Sequence, residues 1–207
     1  MVDGWLETAA AFLDANPKFA VACGRRRERF PEATIYNRLT DMEWDTPVGT
    51  AKSCGGDALF HAEALREVGW YNPTVIAGEE PEMCVRLRQA GWTIERLDAE
   101  MTLHDAAMTK FSQWWKRNVR AGHAYAQGAA MHGKTDGHNV KQVRSIVLWG
   151  IAIPAFFLIS AVSFKAIGQI VSLDPIQETS LMITFVMVLV LVFTAYIALF
   201  LRVARYR

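Results

Sequence analysis

The sequence predicts an α/β domain followed by two transmembrane α-helices, and three observations carry that reading. Over residues 1–133, segments with apolar residues at helical spacing alternate with short strand-like runs and polar loops. Two uncharged apolar runs, Ile146 to Ser163 and Leu181 to Leu201, have about the length that crosses a bilayer as a helix. Charge divides the same way. Nearly all acidic residues precede Asp136, and between Ile146 and Leu201 only Lys165, Asp174 and Glu178 interrupt the apolar sequence. The expected organisation is a domain over 1–133, a linker over 134–145 and a membrane hairpin over 146–207.

The first helix is "DGWLETAAAFLDANP", with Trp5, Leu6, Ala9, Phe12 and Leu13 on one face and a stop at Asn16-Pro17. A short strand, Phe19 to Cys23, then runs into a basic loop, "GRRRER", and a long irregular stretch. "KSCGGDALFHAEALREVGWYNP" supplies a glycine pair, a short apolar segment and a helix from about His61 to Val68. Gly55-Gly56 allows close backbone approach to a ligand, and an ordinary turn explains the pair equally well.

"AGEEPEMCVRLRQAGW", Ala77 to Trp92, is the next helix. Proline is tolerated where its missing N–H would have no partner, so Pro81 is expected at the first helical position and Glu80 at the N-cap. Met83, Leu87 and Ala90 make its core stripe. Glu82 and Arg86 form an ordinary i,i+4 pair worth a few tenths of a kcal/mol, and Gly91 ends the helix. Glutamate is a poor N-cap, so Glu80 is explained either by the common placement of acidic residues in first turns or by a chemical role. Carboxylates at that end lie in the positive pole of the helix dipole, which favours the ionised form a general base needs. A strand, "WTIERLD", and "EMTLHDAAM" follow.

In "FSQWWKRNVRAGHAYAQGAAMHG", Lys116, Arg117 and Arg120 fall on one side of a helix while Phe111, Trp115 and Val119 form an apolar stripe. That pattern describes an interfacial helix on an anionic membrane.

Composition narrows the partners. A net charge of +1 over 207 residues gives no reason to expect nucleic acid. Cys23, Cys54 and Cys84 are an odd set without metal-ligand spacing, so reduced thiols in a cytosolic environment are expected. Asp3 and Glu7 stand where a secretory leader would be basic, so none is expected.

Four pieces taken in order resemble the second half of a family 2 glycosyltransferase, the inverting, nucleotide-sugar-dependent enzymes of the GT-A fold. They are Gly55-Gly56-Asp57 with its following helix, "GWYNP" in the position of a glycine-plus-aromatic turn, "GEEPEMCVRLRQAGW" in place of an "ED…R…G" signature, and "FSQWWKR" as a variant of "QxxRW". The resemblance covers about Asp3 to Gly133, and a membrane hairpin is common among members acting on lipid-linked or exported sugars. It implies a partial GT-A, Rossmann-like half domain.

In such an enzyme Glu80 is the general base, and Glu79 positions the acceptor or holds Glu80. Asp57, Gly55 and Gly56 line the acceptor pocket with Trp114 or Trp115. Lys116, Arg117 and Arg120 hold the diphosphate, and His104 with Asp105 serves a divalent metal, Mg or Mn, or the diphosphate region. The family's nucleotide-binding strand and "DxD" would precede "MVDGWLETA". This chain alone is therefore expected to be inactive, with the missing half supplied upstream or by another chain. The alternative is a non-catalytic membrane protein whose degenerate domain binds a partner or a glycan.

Lys141 and Arg144 precede the first apolar run, and Arg202, Arg205 and Arg207 follow the second; the connection holds Lys165 against Asp174 and Glu178. The positive-inside rule places the domain and both termini in the cytoplasm, on the inner (plasma) membrane. Single cysteines introduced for labelling should be reachable from outside the cell between Gln169 and Thr179 and protected at Arg205; the reverse pattern would place the domain outside.

Overall fold

A computed structural model describes residues 1–160, 163 and 175–205. The chain divides into two units, Met1–Val143 and Arg144–Arg207. The first is α/β. In chain order it holds α1 (Trp5–Ala15), β1 (Phe19–Glu28), α2 (Ile35–Trp44), β2 (Gly49–Thr50), β3 (Leu59–Phe60), α3 (Ala62–Glu67), α4 (Glu79–Gln89), β4 (Thr93–His104) and α5 (Phe111–His132).

The strands form one mixed sheet in the order β2-β4-β1-β3. Its centre is the parallel pair β1 and β4, and the two-residue strands β2 and β3 pair antiparallel on either side. Ala20, Val21, Ala22 and Cys23 are all buried. Successive strand residues point to opposite faces, so both faces of β1 are covered there. Trp5, Ala9 and Leu13 of α1, Leu65 of α3, Met83, Cys84 and Leu87 of α4, and Ile94 and Met101 of β4 complete the core. Leu6, read as part of the α1 core face, is exposed.

Beyond Cys23 the expected basic loop is strand: β1 continues through Arg25, Arg26 and Arg27 to Glu28, paired with β4 as far as His104. Arginines are poor strand signals, and the long partner strand overrides the local preference. The stretch read as irregular contains α2, capped by Thr34, whose hydroxyl accepts the Asn37 N–H at 3.1 Å. Its buried residues are Asn37, Thr40 and Asp41. A helix whose inner face is polar gives no hydrophobic periodicity to read.

That polar face is fully used. Asp41 accepts bonds from Arg27 at 2.8 and 2.6 Å and from the Glu28 N–H at 2.9 Å. The Arg27 bonds outweigh burial and hold the Asp41 carboxyl below the usual carboxylate range, with help from the Glu28 N–H. Glu28, also buried, accepts the Ala106 N–H at 2.9 Å and the Asn37 side-chain amide at 3.2 Å.

In α4 the inner face is Glu82, Met83, Cys84, Val85 and Leu87, while Ala90 is exposed. Gly91 ends the helix as expected, with φ +92° and a bond from the Trp92 N–H to the Leu87 carbonyl at 3.0 Å. The Glu82–Arg86 pair forms, but it is not an ordinary surface pair: Glu82 is 2% exposed. Arg86 donates Nε to both Glu82 oxygens at 3.0 Å, bonds the Val68 carbonyl, and reaches the Trp70 carbonyl at 2.7 Å. His132 of α5 lies 2.9 Å from the same carboxylate. Burial alone would raise the Glu82 pKa; the bonds from Arg86 and His132 outweigh it and lower it.

From the last residues of the first unit into the second, helical residues run from Val140 to Ser160 with a mean hydropathy of 1.9 and none of the span buried. This is the one helix among the described residues long and apolar enough to cross a membrane. It includes α6 (Val140–Val147) and a π-helical turn, Leu148–Ala152, where the Ile153 N–H bonds the Leu148 carbonyl just before Pro154. A wider turn accommodates a proline that cannot donate to the residue four back. The second run lies in α7 (Pro175–Arg205), whose described apolar stretch, Met182–Thr194, is shorter than a span. Lys165 and Asp174 fall outside the described residues.

Glu82→Gln should lower the unfolding free energy of the detergent-solubilised protein by about 2 kcal/mol or more, since it leaves Arg86 and His132 facing a neutral group in a buried site. Both Asp41 and Glu82 have lowered folded pKa values, so their contribution is complete above the unfolded carboxylate range of about pH 4 and is lost as pH falls through the folded values. Asp41→Asn and Glu82→Gln should each flatten the acid limb of stability against pH.

Candidate functional site

The site is built around the first turn of α4. Gly78 is the N-cap, in the left-handed conformation at φ +82°, and the first intrahelical bond runs from the Glu82 N–H to the Gly78 carbonyl at 3.0 Å. Glu79, Glu80 and Pro81 are therefore the first three helical residues. Glu80 is not the N-cap, and Pro81 sits two positions later than the sequence suggests. The physical reason is unchanged: amides throughout the first turn lack helical partners, so proline is accepted at any of them. Glu79 and Glu80 lie among those free amides, at the positive pole of the helix.

Beside them opens a cavity of about 630 Å³. Gly24 and Arg26 of β1 with Arg96 and Met101 of β4 line it from the sheet, and Cys54 and Gly55 from the loop after β2. Glu43 and Trp44 at the end of α2, Glu79 and Glu80 of α4, and Arg117, Arg120 and Tyr125 of α5 complete the wall.

Arg26 is fixed on three sides. Its Nε donates to Asp57 Oδ2 at 2.9 Å, an Nη pairs with the other carboxylate oxygen, and its guanidinium carbon lies 5.3 Å from the centre of the Trp44 ring. Burial lowers its pKa, and the charge of Glu80 opposes that. A Cβ at Gly55 would lie 2.6 Å from an Arg26 nitrogen, and one at Gly56 would lie 3.1 Å from Glu80 Oε1. The glycine pair thus makes room for two of the site's own side chains.

Arg117 makes a bidentate pair with Glu43 at 2.7 and 3.0 Å. Arg120 stands 3.9 Å from Glu79, and Arg96 donates to the carbonyls of Pro47 and Ser53 at 3.2 and 3.3 Å. Cys54 and Cys84 are free and buried, their sulfurs 3.6 Å apart. The bond between them and burial push the Cys54 thiol up, while that same bond pulls Cys84 down. Burial and then Glu80 raise the Tyr71 phenol.

Of the residues the sequence singles out, Gly55, Glu79, Glu80, Arg117 and Arg120 line this cavity; Gly56 backs Glu80 and Asp57 holds Arg26. Others lie elsewhere. Trp114 packs on Tyr36 and Phe111 with ring centres 6.1 and 5.8 Å away, and Trp115 and Lys116 line a separate groove. His104 lies tilted against the Trp44 ring with centres 5.2 Å apart, and Asp105 accepts the Ala107 N–H at 2.8 Å. Among the described residues no three His, Cys, Asp or Glu side chains gather as a metal set.

Arg26, Arg96, Glu43 and Trp44 escape sequence reading. Arg26 falls in a segment whose sequence has no strand signal, yet as part of β1 it lines the cavity together with Gly24. No protein-family model matches the sequence, and no curated protein matches it either.

The Arg26–Asp57 pair is mostly buried, whereas Arg25–Asp98 is largely exposed. Double-mutant cycles by urea unfolding should give a coupling above about 1 kcal/mol for the first and below about 0.5 kcal/mol for the second.

Proposed function

We propose that the α/β unit is the acceptor side of a membrane-anchored inverting glycosyltransferase, which moves a sugar from a nucleotide-sugar donor to a glycan or lipid-linked acceptor. The observation that carries this reading is a carboxylate, Glu80, at a helix N-terminus in a cavity that also presents Arg26, Arg96, Arg117 and Arg120. A base and a cationic wall are the two things such a transfer asks of a protein. The order of the four sequence elements supports the same reading.

Glu80 takes the proton of the acceptor hydroxyl as that oxygen attacks the anomeric carbon from the face opposite the nucleotide, so one displacement inverts the centre. Glu79, near Arg120, orients the acceptor. Arg26 and Arg117 are held in place by Asp57 and Glu43 and need little reorganisation when negative charge develops on the leaving diphosphate. A divalent cation and the nucleotide belong to the donor side. The helical hairpin anchors the unit, with the cytoplasm as the side of reaction; the apolar helix Val140–Ser160 supports anchoring.

In the enzyme assembled with its nucleotide-binding half, Glu80→Gln should reduce kcat by about a hundredfold or more and leave donor affinity nearly unchanged. Glu63→Gln, in the first turn of α3, is the control, since Glu82 is a buried structural residue. Equal and small effects of both would return Glu80 to an acidic residue placed at a helix start for the dipole.

A further inference from the structure

We propose that Cys54 and Cys84 form a site of reversible oxidation, a thiol pair that closes to a disulfide under peroxide and clamps the loop beside the cavity to the first turns of α4. The inference stands apart from the transferase reading, because it depends on two sulfurs and the elements that carry them and on no bound ligand.

The fold brings the pair together. Cys54 lies between β2 and β3, in residues 51–58, which are neither helix nor strand, and Cys84 lies on the inner face of α4. The two are 30 residues apart in sequence, and their sulfurs stand 3.6 Å apart as free thiols. A disulfide bond is about 2.05 Å long, so the sulfurs have about 1.5 Å to close. Access comes from the cavity, which Cys54 lines. The bond from Cys54 pulls the Cys84 thiol below its usual range against the effect of burial, with help from the Arg88 charge, so the pair offers a thiolate beside a thiol. Cys23 also lines the cavity, but burial raises it and its S–H donates to the Glu95 carbonyl at 3.5 Å.

Peroxide is the oxidant. A thiolate sulfur takes one peroxide oxygen as the O–O bond breaks, giving a sulfenic acid. The second sulfur then attacks the first, the S–O bond breaks and the S–S bond forms. The two thiol protons leave in two molecules of water, and the two electrons lost by sulfur reduce one peroxide.

Closure acts on the wall of the candidate site. Cys84 is four residues on from Glu80, one turn along the same helix face. Cys54 precedes Gly55, Gly56 and Asp57; a Cβ at Gly56 would lie 3.1 Å from Glu80 Oε1, and Asp57 holds Arg26. Arg88 bonds the Lys52 carbonyl and Arg96 the Ser53 carbonyl at 3.3 Å, and the disulfide adds a covalent tie to those polar ones. Where thiols are kept reduced, as on the proposed cytoplasmic side, a disulfide is transient, which suits a sensor.

For the test, the full chain in detergent micelles is reduced, exchanged into thiol-free buffer and treated with hydrogen peroxide, and its disulfides are mapped by mass spectrometry after alkylation. We expect Cys54 and Cys84 to be lost as thiols into one cross-linked peptide within a single chain, Cys23 to be alkylated, and dithiothreitol to reverse the change. Amide exchange over residues 53–58 and 79–84 should slow about tenfold on oxidation and recover on reduction. Cys54→Ala and Cys84→Ala should each remove the cross-link and the change in exchange. Mapping in the unaltered chain decides the pairing even where a variant fails to fold. A cross-link through Cys23, a cross-link between chains, or sulfinic acid on Cys54 with Cys84 still a thiol would overturn the proposal, as would three intact thiols in the folded chain. Unchanged exchange in a chain fully cross-linked at Cys54 and Cys84 would overturn the clamp.

Discussion

The buried carboxylate of Glu82 is the constraint on which the rest of the site depends. An ionised carboxylate with almost no exposure is tolerated only when its oxygens are met by charged or hydrogen-bonding partners. Here those partners come from three parts of the chain. Arg86 belongs to the same helix, and through its other nitrogens it holds the Val68 and Trp70 carbonyls, where Trp70 sits at φ +61°. His132 comes from the far end of α5. One side chain therefore fixes the turn after α3, the orientation of α4 and the end of α5, and with α4 it fixes where Glu79 and Glu80 stand.

A second polar cluster does for the start of α5 what Glu82 does for its end. Glu28 accepts the Ala106 N–H, the Asn37 amide oxygen accepts the Met108 N–H, and Thr34 donates to the Met108 carbonyl at 2.8 Å. Arg117 adds the pair with Glu43 between these ends. Gly128 is the only fully buried residue of α5. The helix that closes the cavity is thus held by polar bonds at both ends and the middle, with little apolar burial of its own. Elements held this way sit at the lower end of local stability, as expected of a wall that ligands must pass.

Much of this was legible in the sequence where apolar periodicity reports burial. The positions of α1, α3 and α4, the start of β1 and the apolar run from Ile146, which lies within the helix Val140–Ser160, follow from spacing alone. What escaped has a common cause. The second half of β1 and the whole of α2 bury polar side chains against one another, so Arg26, Arg27, Asn37 and Asp41 read as loop. Glu82 escaped for the same reason: spacing shows that it can reach Arg86, and nothing in spacing shows that α5 covers both. The glycine pair at residues 55 and 56 marks a close approach, and the approaching groups are the protein's own Arg26 and Glu80 rather than a ligand.

The same polar economy shapes the cavity's electrostatics. Arg26, Arg96, Arg117 and Arg120 stand in or beside a wall that also holds Glu43, Asp57, Glu79 and Glu80, so the site is near charge balance. A balanced site attracts a free anion weakly at long range, and its strength lies in placement. Arg26 is clamped between Asp57 and Trp44, and Arg117 is held by Glu43, so both charges are positioned before any ligand arrives. Arg120 is different. It is 68% exposed and 3.9 Å from Glu79, and it donates one Nη to the Ile76 carbonyl at 3.3 Å, a looser hold than the paired carboxylates give Arg26 and Arg117. In the proposed transfer the fixed arginines would meet charge that develops on the leaving group, since their placement precedes it.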